Sequence, residues 1–311
     1  MSAKAKSQTP LVCHGHTRPI VDLQYSAVTP DGYFLISASK DSAAQLRNGE
    51  TGDWIGSFLG HKGAVWGAAL DDPALLAGTA SADFTARVWN AVTGDELHSF
   101  EHKHIVRTID FAHGSSAYRM VTGGPEKLLR VFDLTRPEAE PQTASLAAKI
   151  SGARFLRDNS ALLLSYSDRA GVDLVDARTL EVTRTLATAS PVTSIDVLPG
   201  GDRIVTADGG RIQVWDAATL EERAAFAPEG YRVESAALAP GCGRIVAGGD
   251  DMWVHLHDAA DFAELEAGRG HHGPVHVVRF APGEGSFASG SEDGTIRIWQ
   301  TQPAAAAADA P

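Results

Sequence analysis

The chain has 311 residues, enough for two ordinary domains or one large repeat structure, and 43% of its residues are hydrophobic. Its formal charge of −12 excludes a broad nucleic-acid-binding surface, which normally needs a basic face, and favours basic protein partners. The two cysteines, Cys13 and Cys242, exclude a disulfide framework, and no apolar run reaches membrane-spanning length. We therefore expect a soluble intracellular protein with no membrane insertion and no direct binding of nucleic acid.

The two ends of the chain differ from the rest in composition. The opening residues, MSAKAKSQTP, lack the apolar core of a signal peptide, and the last ten, QPAAAAADAP, are of low complexity. The composition predicts a flexible N-terminus at residues 1–8, one folded domain at 9–301 and a disordered, alanine-rich tail at 302–311.

The first predicted element is a short strand, residues 9–13, that stands without the rest of a repeat unit. It is followed by Gly15-His16, and the same dipeptide returns at Gly60-His61 and Gly270-His271, where complete units follow. The sequence thus begins with the end of a unit whose other strands must lie elsewhere in the chain.

The later units share one pattern of strands and turns. GHKGAVWGAAL with TASADFTARVWN matches GHHGPVHVVRF with SGSEDGTIRIWQ, and EHKHIVRTIDF with TGGPEKLLRVFD is a third copy. Weaker copies lie between them, for example SPVTSIDV with VTADGGRIQVWD. Alternating runs separated by Gly and Asp turns are typical of short strands, not of helices.

The repeat has a constant length. The positions equivalent to the final tryptophan are separated by 42, 43, 43, 40, 42 and 42 residues. They are Arg47, Trp89, Phe132, Val175, Trp215, His257 and Trp299. A period of this length with Gly-His and Trp-Asp ends is the WD40 signature, and seven copies predict an all-β, seven-bladed WD40 β-propeller.

The isolated first strand completes this ring. Each unit supplies three inner strands of one blade and the outer strand of the same blade before the next Gly-His, but the last unit stops near Trp299. Residues 9–13 are therefore predicted to pair with the C-terminal blade. Such pairing removes open sheet edges, so deletion of residues 1–14 is expected to abolish the fold.

A recurrent set of His, Asp and Trp side chains is predicted to form a buried structural network. In WD40 proteins such residues tie the His loop to the Asp turn and the Trp strand, and a buried Asp is tolerated only with such partners. The predicted members are His16, Asp41, His61, Asp83, Trp89, His102, Trp215, Asp216, Asp251, His271, Asp293 and Trp299.

Some of these residues, and other histidines, have spacings that resemble catalytic or metal-binding sites. His61 and Asp83 with Thr79 or Ser81, and His271 and Asp293 with Ser289 or Ser291, resemble a hydrolase triad, but the structural interpretation places them in the core. The pairs His102/His104 and His255/His257 share a strand face yet lack further zinc ligands. We expect no catalytic residue, no metal and no cofactor.

The remaining candidate surface is the narrow top of the propeller. Residues beside the first core valine of each blade and before the turn Asp are expected there. The candidates for partner binding are Lys40, Trp66, Arg107, Lys149, Arg232 and His276. Trp66 lies out of phase with core Val65, which leaves two interpretations open: an exposed binding residue, or a side chain packed between blades 2 and 3.

Beyond the repeat, several stretches resemble one family. GHTRPIVDLQYSAVTPDGYFLISASKD, TGDWIGSFLGHKGAVWGA, HKHIVRTIDF and LTRPEAEP are similar to the serine/threonine kinase receptor-associated (unr-interacting) family of WD40 proteins. ASGSEDGTIRIWQT is compatible with it, although that motif is common among WD40 proteins. The similarity extends over residues 8–301.

This resemblance implies a non-enzymatic scaffold. Such proteins associate with the survival of motor neuron (SMN) complex, which loads Sm proteins onto small nuclear RNAs for mRNA splicing, and they contact its Gemin subunits. It also implies a cytoplasmic and nuclear location, and some members bind receptor kinases. Blades 4 and 5 depart from the pattern, because they lack Gly-His and blade 4 has Val175 for Trp and Asp168 one place early.

Two alternatives remain open at this point. GHKGAVW and DFTARVW also resemble the WD40 (i) subunit of eukaryotic translation initiation factor three. The other alternative is a propeller enzyme with its site in the central channel. The positions beside the core valines hold Pro, Ala, Trp, Arg and His, without paired carboxylates, which argues against an enzyme.

Overall fold

The computed structural model describes residues 9–114, 118–283 and 285–301. The predicted N-terminal segment 1–8 and tail 302–311 lie outside the described residues. The described part of the chain forms 28 strands and seven four-stranded antiparallel sheets. The inner strands of neighbouring sheets contact each other all the way round, so the sheets form a closed ring. The predicted seven-bladed β-propeller is confirmed.

Blades 1 to 4 follow one another in chain order, each from its inner to its outer strand. Blade 1 contains β2 (Ile20–Tyr25), β3 (Phe34–Ser39), β4 (Ala44–Asn48) and β5 (Trp54–Phe58); blade 2 contains β6 (Val65–Leu70), β7 (Leu76–Ser81), β8 (Thr85–Asn90) and β9 (Glu96–Glu101); blade 3 contains β10 (Thr108–Phe111), β11 (Arg119–Gly123), β12 (Leu128–Asp133) and β13 (Gln142–Ser145); blade 4 contains β14 (Ile150–Phe155), β15 (Ala161–Tyr166), β16 (Val172–Asp176) and β17 (Val182–Leu186).

Blade 7 takes its outer strand from the start of the chain. Blade 5 contains β18 (Ser194–Val197), β19 (Arg203–Ala207), β20 (Ile212–Asp216) and β21 (Glu222–Phe226); blade 6 contains β22 (Val233–Leu238), β23 (Arg244–Gly249), β24 (Val254–Asp258) and β25 (Glu264–Gly268); blade 7 contains β26 (Val275–Phe280), β27 (Ser286–Ser291), β28 (Ile296–Gln300) and β1 (Leu11–Cys13). The predicted closure is therefore confirmed, with Leu11 opposite Ile298 and Cys13 opposite Ile296.

The hydrophobic core lies between adjacent blades. Phe58 and Ile36 of blade 1, for example, pack with Trp89 and Leu70 of blade 2. Trp299 of blade 7 is 2% exposed and packs with Val254 and Leu256 of blade 6. Since each blade contributes one side of two such layers, the ring must close before every layer is covered.

The Gly-His dipeptides have a backbone reason for their glycine. Gly60 and Gly270 have φ angles of 148° and 159°, which L side chains rarely adopt. Glycine therefore lets the loop turn tightly before the histidine enters the blade.

The connections between strands form two opposite faces of the ring, called the upper and the lower face. The upper face comprises the connections from each outer strand to the next inner strand, residues 14–19, 59–64, 102–107, 146–149, 187–193, 227–232 and 269–274, and those between second and third strands, residues 40–43, 82–84, 124–127, 167–171, 208–211, 250–253 and 292–295. The lower face comprises the remaining interstrand connections. Antiparallel pairing puts alternate connections on opposite faces, so the connections between described strands divide into fourteen on the upper face and thirteen on the lower face.

Irregular pairing on the inner strands places side chains at the upper end of the central channel. Five inner strands skip one residue in their register with the second strand, and a skipped residue forms a bulge. The skipped residues are Val21, Trp66, Ser151, Glu234 and His276. Together with Arg107 and Thr193, which precede the paired part of blades 3 and 5, they line the upper cavities.

Candidate protein-binding face

Blade 2 contains the complete hydrogen-bonded network. His61 Nδ1 lies 2.8 Å from Asp83 Oδ2, and His61 Nε2 lies 2.7 Å from Thr79 Oγ1. Because the ionised Asp83 can only accept, Nδ1 donates and Nε2 accepts from the Thr79 hydroxyl. Trp89 Nε1 donates to the same hydroxyl oxygen at 2.8 Å. The network joins loop, turn and third strand of one blade.

The electrostatics keep this network in one protonation state. Burial lowers the pKa of His61, partly offset by the hydrogen bond to Asp83, so the imidazole is neutral near pH 7. Burial opposes ionisation of Asp83, but hydrogen bonds from Thr85, the Lys62 amide and His61 hold the pKa of Asp83 below its ordinary range. A neutral His beside an ionised Asp is the donor and acceptor pair that the geometry requires.

Blades 7 and 1 repeat the arrangement with one substitution. His271 lies 3.0 Å from Asp293 and 2.8 Å from Ser289 Oγ, which also accepts from Trp299 Nε1 at 2.8 Å. In blade 1, His16 bonds Asp41 and Ser37, each at 2.8 Å. Arg47 replaces the tryptophan there, and it donates to Gln45 Oε1 at 2.8 Å and to the carbonyl oxygens of Gly52 and His14.

These sets do not present a nucleophile to solvent. Thr79 and Ser289, the hydroxyl residues that contact the histidines, are both 0% exposed. Each hydroxyl already accepts a hydrogen bond from a tryptophan. A hydrolytic nucleophile must reach a substrate, so the triad-like spacing describes a structural network.

Blades 3 and 5 retain only part of the network. His102 Nε2 lies 2.9 Å from Thr122 Oγ1, but its Nδ1 faces the Phe100 carbonyl oxygen at 3.1 Å instead of a carboxylate. Burial is the main cause that lowers the pKa of His102 to about 4. In blade 5, Trp215 Nε1 donates to Thr206 at 2.9 Å, and no histidine takes part.

The prediction that Asp216, which follows Trp215, belongs to the buried network was wrong. It lies at the opposite end of β20, where its carboxylate accepts from the Ala218 and Thr219 amides at 3.0 and 2.9 Å and pairs with Arg223 at 2.8 Å. It stabilises a lower turn and does not contact the upper network. The Trp-Asp dipeptide ends the strand, so its Asp faces the next turn.

In blade 5, Asp208 takes the place that Asp83 has in blade 2, and the sequence analysis missed it. It is 4% exposed and accepts from the amides of Ala189, Gly210 and Arg211 at 3.1, 3.2 and 2.8 Å. The stretch TADGG, similar to SADF and SEDG, was the available signal. It was obscured because Asp208 stands seven residues before Trp215, whereas Asp83 stands six before Trp89.

Blades 4 and 6 hold their upper turns by other means. In blade 6, Asp251 bonds His255 Nε2 at 2.9 Å, Glu264 bonds His255 Nδ1 at 2.8 Å, and Tyr231 stacks on the ring at 4.1 Å. Asp251 thus pairs with a histidine of its own hairpin instead of a Gly-His loop. In blade 4, Tyr166 donates to Asp173 at 2.6 Å, and Val175 fills the tryptophan position.

The paired histidines have ordinary partners. His104 Nδ1 accepts from the Ile105 amide at 2.8 Å, and His257 Nδ1 faces the Phe262 carbonyl oxygen at 3.2 Å. Within residues 9–114, 118–283 and 285–301, no group of three or more His, Cys, Asp or Glu side chains is arranged to hold a metal ion. The described residues also contain no helix of the length and apolar character needed to cross a bilayer.

Trp66 stands at the upper end of the channel under two basic side chains. Its ring is half-buried, with the Arg107 guanidinium 4.0 Å and Lys40 Nζ 5.7 Å from the ring centroid. Its Nε1 is buried without a hydrogen-bond partner among the described residues. Neither interpretation is fully correct: Trp66 is neither openly exposed nor buried by apolar packing, because cations of blades 1 and 3 cover it.

The other predicted face residues also reach the upper face. His276 Nε2 lies 2.7 Å from Glu292, which in turn lies 3.6 Å from Lys40 Nζ. Lys149 and Arg232 are exposed, and their backbone N–H groups donate to the carboxylates of Asp168 and Asp250 at 2.8 Å each. The six candidates therefore surround the channel mouth without forming one cluster.

The channel itself is blocked by charged side chains that the sequence analysis missed. Arg154 reaches across from blade 4 to Asp22 of blade 1 at 3.4 Å, and Arg279 of blade 7 lies 3.7 Å from Asp196 of blade 5. Arg154 and Arg279 line both the upper cavity and the lower cavity of about 330 Å³. They therefore separate the two ends of the channel.

Charged residues recur at one position of the repeat, four after the first core residue of each inner strand. This position holds Gln24, Ala69, Asp110, Arg154, Asp196, Ala237 and Arg279. The inner strands therefore carry carboxylates at this position, although the positions beside the core valines have none in pairs. Asp110 accepts from the Phe155 amide at 2.8 Å and from Gln24 at 3.2 Å, so it is held by the ring itself.

The fold sorts charge between its two faces. Among the described residues, the upper face carries eleven Lys and Arg and ten Asp and Glu, whereas the lower face carries three and thirteen. The formal charges are thus +1 and −10. A disc with one acidic face and one near-neutral face can bind partners of different charge on its two sides.

Comparison with known proteins agrees with this geometry. A family model described as "WD domain, G-beta repeat" matches residues 7–47, 52–90, 180–216 and 264–300. The serine-threonine kinase receptor-associated protein of Gallus gallus is 49% identical over 299 residues, which covers 96% of this chain and 84% of the relative. The Homo sapiens protein of the same name is 48% identical with the same coverage. The chain belongs to the serine-threonine kinase receptor-associated protein family.

The relationship extends beyond animals. The serine-threonine kinase receptor-associated protein of Dictyostelium discoideum is 42% identical over 293 residues, 94% of this chain and 98% of the relative. The human eukaryotic translation initiation factor 3 subunit I is 27% identical over 329 residues, so the alternative family is the more distant one. Fold and family together indicate a WD40 scaffold that binds proteins.

Proposed function

We propose that this chain is a non-enzymatic scaffold of the SMN complex that supports assembly of small nuclear ribonucleoproteins for mRNA splicing. Membership of the serine-threonine kinase receptor-associated family, at 48–49% identity over 96% of the chain, is the observation that supports this role. The partners in this proposal are Gemin and Sm-type proteins, and the location is cytoplasmic and nuclear. Association with a receptor kinase, which the relatives' name states for them, is a secondary proposal.

The geometry suits a scaffold. The channel arginines are bonded to aspartates and to carbonyl oxygens, so the ring is internally braced and does not rely on a bound ligand. The lower face, with thirteen acidic and three basic residues among those described, is complementary to basic protein segments such as those expected of Sm-type partners. A rigid disc with two differently charged faces can hold two partners at once.

The test is affinity purification of the tagged protein from its own cells, followed by mass spectrometry. Recovery of SMN, Gemin or Sm proteins supports the proposed function. Recovery of initiation-factor subunits in their place supports the translation-factor alternative. If neither set is enriched over a tagged, unrelated propeller, the assembly role is wrong, although the scaffold fold remains.

A further inference from the structure

The acidic side chains of the upper face are used to hold the fold. Seven of its ten acidic residues are aspartates that each accept at least one backbone N–H. They are Asp41, Asp83, Asp168, Asp208, Asp250, Asp251 and Asp293. Glu126 is held by Arg130 at 2.8 and 3.0 Å, and Glu292 by His276. Few carboxylates of this face therefore point into solvent without a partner.

The basic side chains of the same face are mostly not used in this way. Among the described residues, eight of its eleven Lys and Arg side chains form no ion pair and donate no side-chain hydrogen bond. They are Arg18, Lys62, Lys103, Arg107, Lys149, Arg211, Arg232 and Arg269. A chain of net charge −12 thus presents one face whose available charge is positive.

A cavity of about 620 Å³ lies on this face over blades 4 and 5. Arg107 of blade 3 and Arg232 of blade 6 line it, and Ser167 and Ser190 add hydroxyl groups. Neither of these blades has a Gly-His loop, and Ser190 lies in the connection 187–193, where blades 1, 2 and 7 have their histidine. Two guanidinium groups without carboxylate partners therefore meet a polar floor.

Two carboxylates also line the cavity, and they differ in availability. Asp208 is buried, and its carboxylate accepts three backbone N–H groups, so its charge is compensated within the turn. Glu234, the bulge residue of blade 6, is half-buried, and its carboxylate forms no ion pair or hydrogen bond within the described parts of the chain. The cavity thus has two available positive charges and one available negative charge.

We propose that this cavity binds an acidic, Asp- and Glu-containing segment of a protein partner, with its carboxylates on Arg107 and Arg232. Arginine guanidinium groups bind carboxylates through paired, charge-assisted hydrogen bonds, and the serine hydroxyls supply further donors. The proposal rests on the proposed function only in that the chain binds proteins. It assigns the upper face to an acidic partner and leaves the acidic lower face to a basic one.

RNA is the other anionic polymer that a basic face attracts, and the structure favours a peptide. Recognition of single-stranded RNA relies on aromatic platforms for the bases. The residues that line this cavity include no aromatic side chain, and the Trp66 ring beside Arg107 is covered by Arg107 and Lys40. The acidic lower face also repels a long polyanion, whereas a short peptide stays within the upper face.

The test is fluorescence anisotropy with the purified full-length chain and a labelled peptide of repeated Gly-Glu-Asp. Binding is expected at about 50 mM NaCl and should weaken at about 250 mM, since exposed charges are then screened. The variant Arg107→Gln/Arg232→Gln should bind the peptide at least about tenfold more weakly, because both charge-assisted contacts to the peptide carboxylates are lost. Glu234→Gln should bind about two- to fivefold more tightly.

The matched control is Arg136→Gln/Arg178→Gln, which changes the net charge equally but lies on the lower face, where both side chains are exposed. It should leave peptide affinity within about twofold, because screening weakens distant charges. An equal loss in this control would overturn the proposal, as would tighter binding of a labelled oligouridine or equal binding of a Gly-Gln-Asn peptide. Thermal melts of each variant, and the single exposed Arg232→Gln, separate loss of binding from loss of fold.

This outcome is independent of the cellular assembly. A peptide that binds through Arg107 and Arg232 supports the acidic-partner site even if purification recovers no SMN component. Conversely, recovery of SMN components with no effect of these arginines on the peptide overturns the site and leaves the proposed function standing.

Discussion

Blades 2 and 7 and blades 4 and 5 have the same four-stranded sheet but hold their upper turns differently. In blades 2 and 7, the loop histidine bonds the turn aspartate through Nδ1, and the same histidine and the tryptophan of the third strand bond one buried hydroxyl. In blades 4 and 5, the turn aspartates Asp168 and Asp208 accept backbone N–H groups and no histidine is involved. The sheet therefore does not need the full network, and its absence leaves polar space on the surface.

The difference separates stability from recognition. Where the histidine loop is present, its side chain is buried and unable to contact a partner. Where it is absent, a cavity of about 620 Å³ opens between two unpaired arginines. The regular blades thus carry much of the bracing, and the irregular blades offer a candidate binding surface. That division has measurable consequences for stability and for binding.

Removal of β1 should have the greatest effect on the whole ring. Deletion of residues 1–14 leaves β28 with an unpaired edge and uncovers the core around Ile296 and Ile298. We expect no cooperative thermal unfolding transition by circular dichroism, because blade 7 is incomplete. Deletion of residues 1–8 alone, which leaves β1 in place, is the control and should melt normally. A cooperative melt of the longer deletion would show that ring closure is dispensable.

Trp299→Ala should destabilise the protein by about 3–5 kcal/mol, because it leaves a cavity between blades 6 and 7. Trp299 is 2% exposed and also donates to Ser289. The free energy of unfolding is measured by urea titration. Trp66→Ala is the comparison variant: we expect it to keep the fold and weaken partner binding. The reverse order of stabilities would contradict our assignment of core and surface.

Thr79→Val and Thr206→Val compare a full network with a partial one. The Thr79 hydroxyl serves both His61 and Trp89, so its loss should cost about 1–3 kcal/mol by leaving both groups unsatisfied. The Thr206 hydroxyl serves only Trp215, so the cost should be about half as large. Urea titrations of both variants give the two losses in free energy of unfolding. Equal losses would mean that the bond to His61 contributes nothing to stability.

Acidification should weaken the blades that bury a histidine. The pKa of His102 is lowered to about 4, so between about pH 4 and 6.5 the unfolded chain binds more protons than the folded one. Stability is therefore lost as the pH falls through this window, by about 1–2 kcal/mol at pH 5 relative to pH 7 for this residue. His102→Asn should show a smaller difference between the two pH values in urea titrations. An unchanged difference would assign the effect to His61 and His271, whose pKa values are also lowered by burial.

Sequence patterns were sufficient for the fold and for much of the bracing. Seven repeats of nearly constant length determine seven blades, and the incomplete last unit determines that residues near Leu11 must complete it. His61, Asp83 and Trp89 were predictable as partners because their spacing repeats at His271, Asp293 and Trp299. Repetition made these contacts visible, since each network lies within one unit of the chain.

The sequence could not place side chains that meet across the ring. Arg154 and Asp22 are 132 residues apart and lie in different repeats, so no local spacing relates them. Asp208 was missed because it stands one residue further from Trp215 than Asp83 does from Trp89. Asp216 was misplaced because an Asp at a strand end can face the turn at either end of the strand. The covering of Trp66 by Lys40 and Arg107 likewise depends on three separate blades.

By itself, the sequence determined the all-β propeller, its closure by the first strand and the family. Only the tertiary structure decided which charges are available to partners. The totals of acidic and basic residues are properties of the chain, but antiparallel strands send alternate connections to opposite faces. The turn aspartates of one face are then bonded to backbone N–H groups, while arginines such as Arg107 and Arg232 keep their charges for a partner.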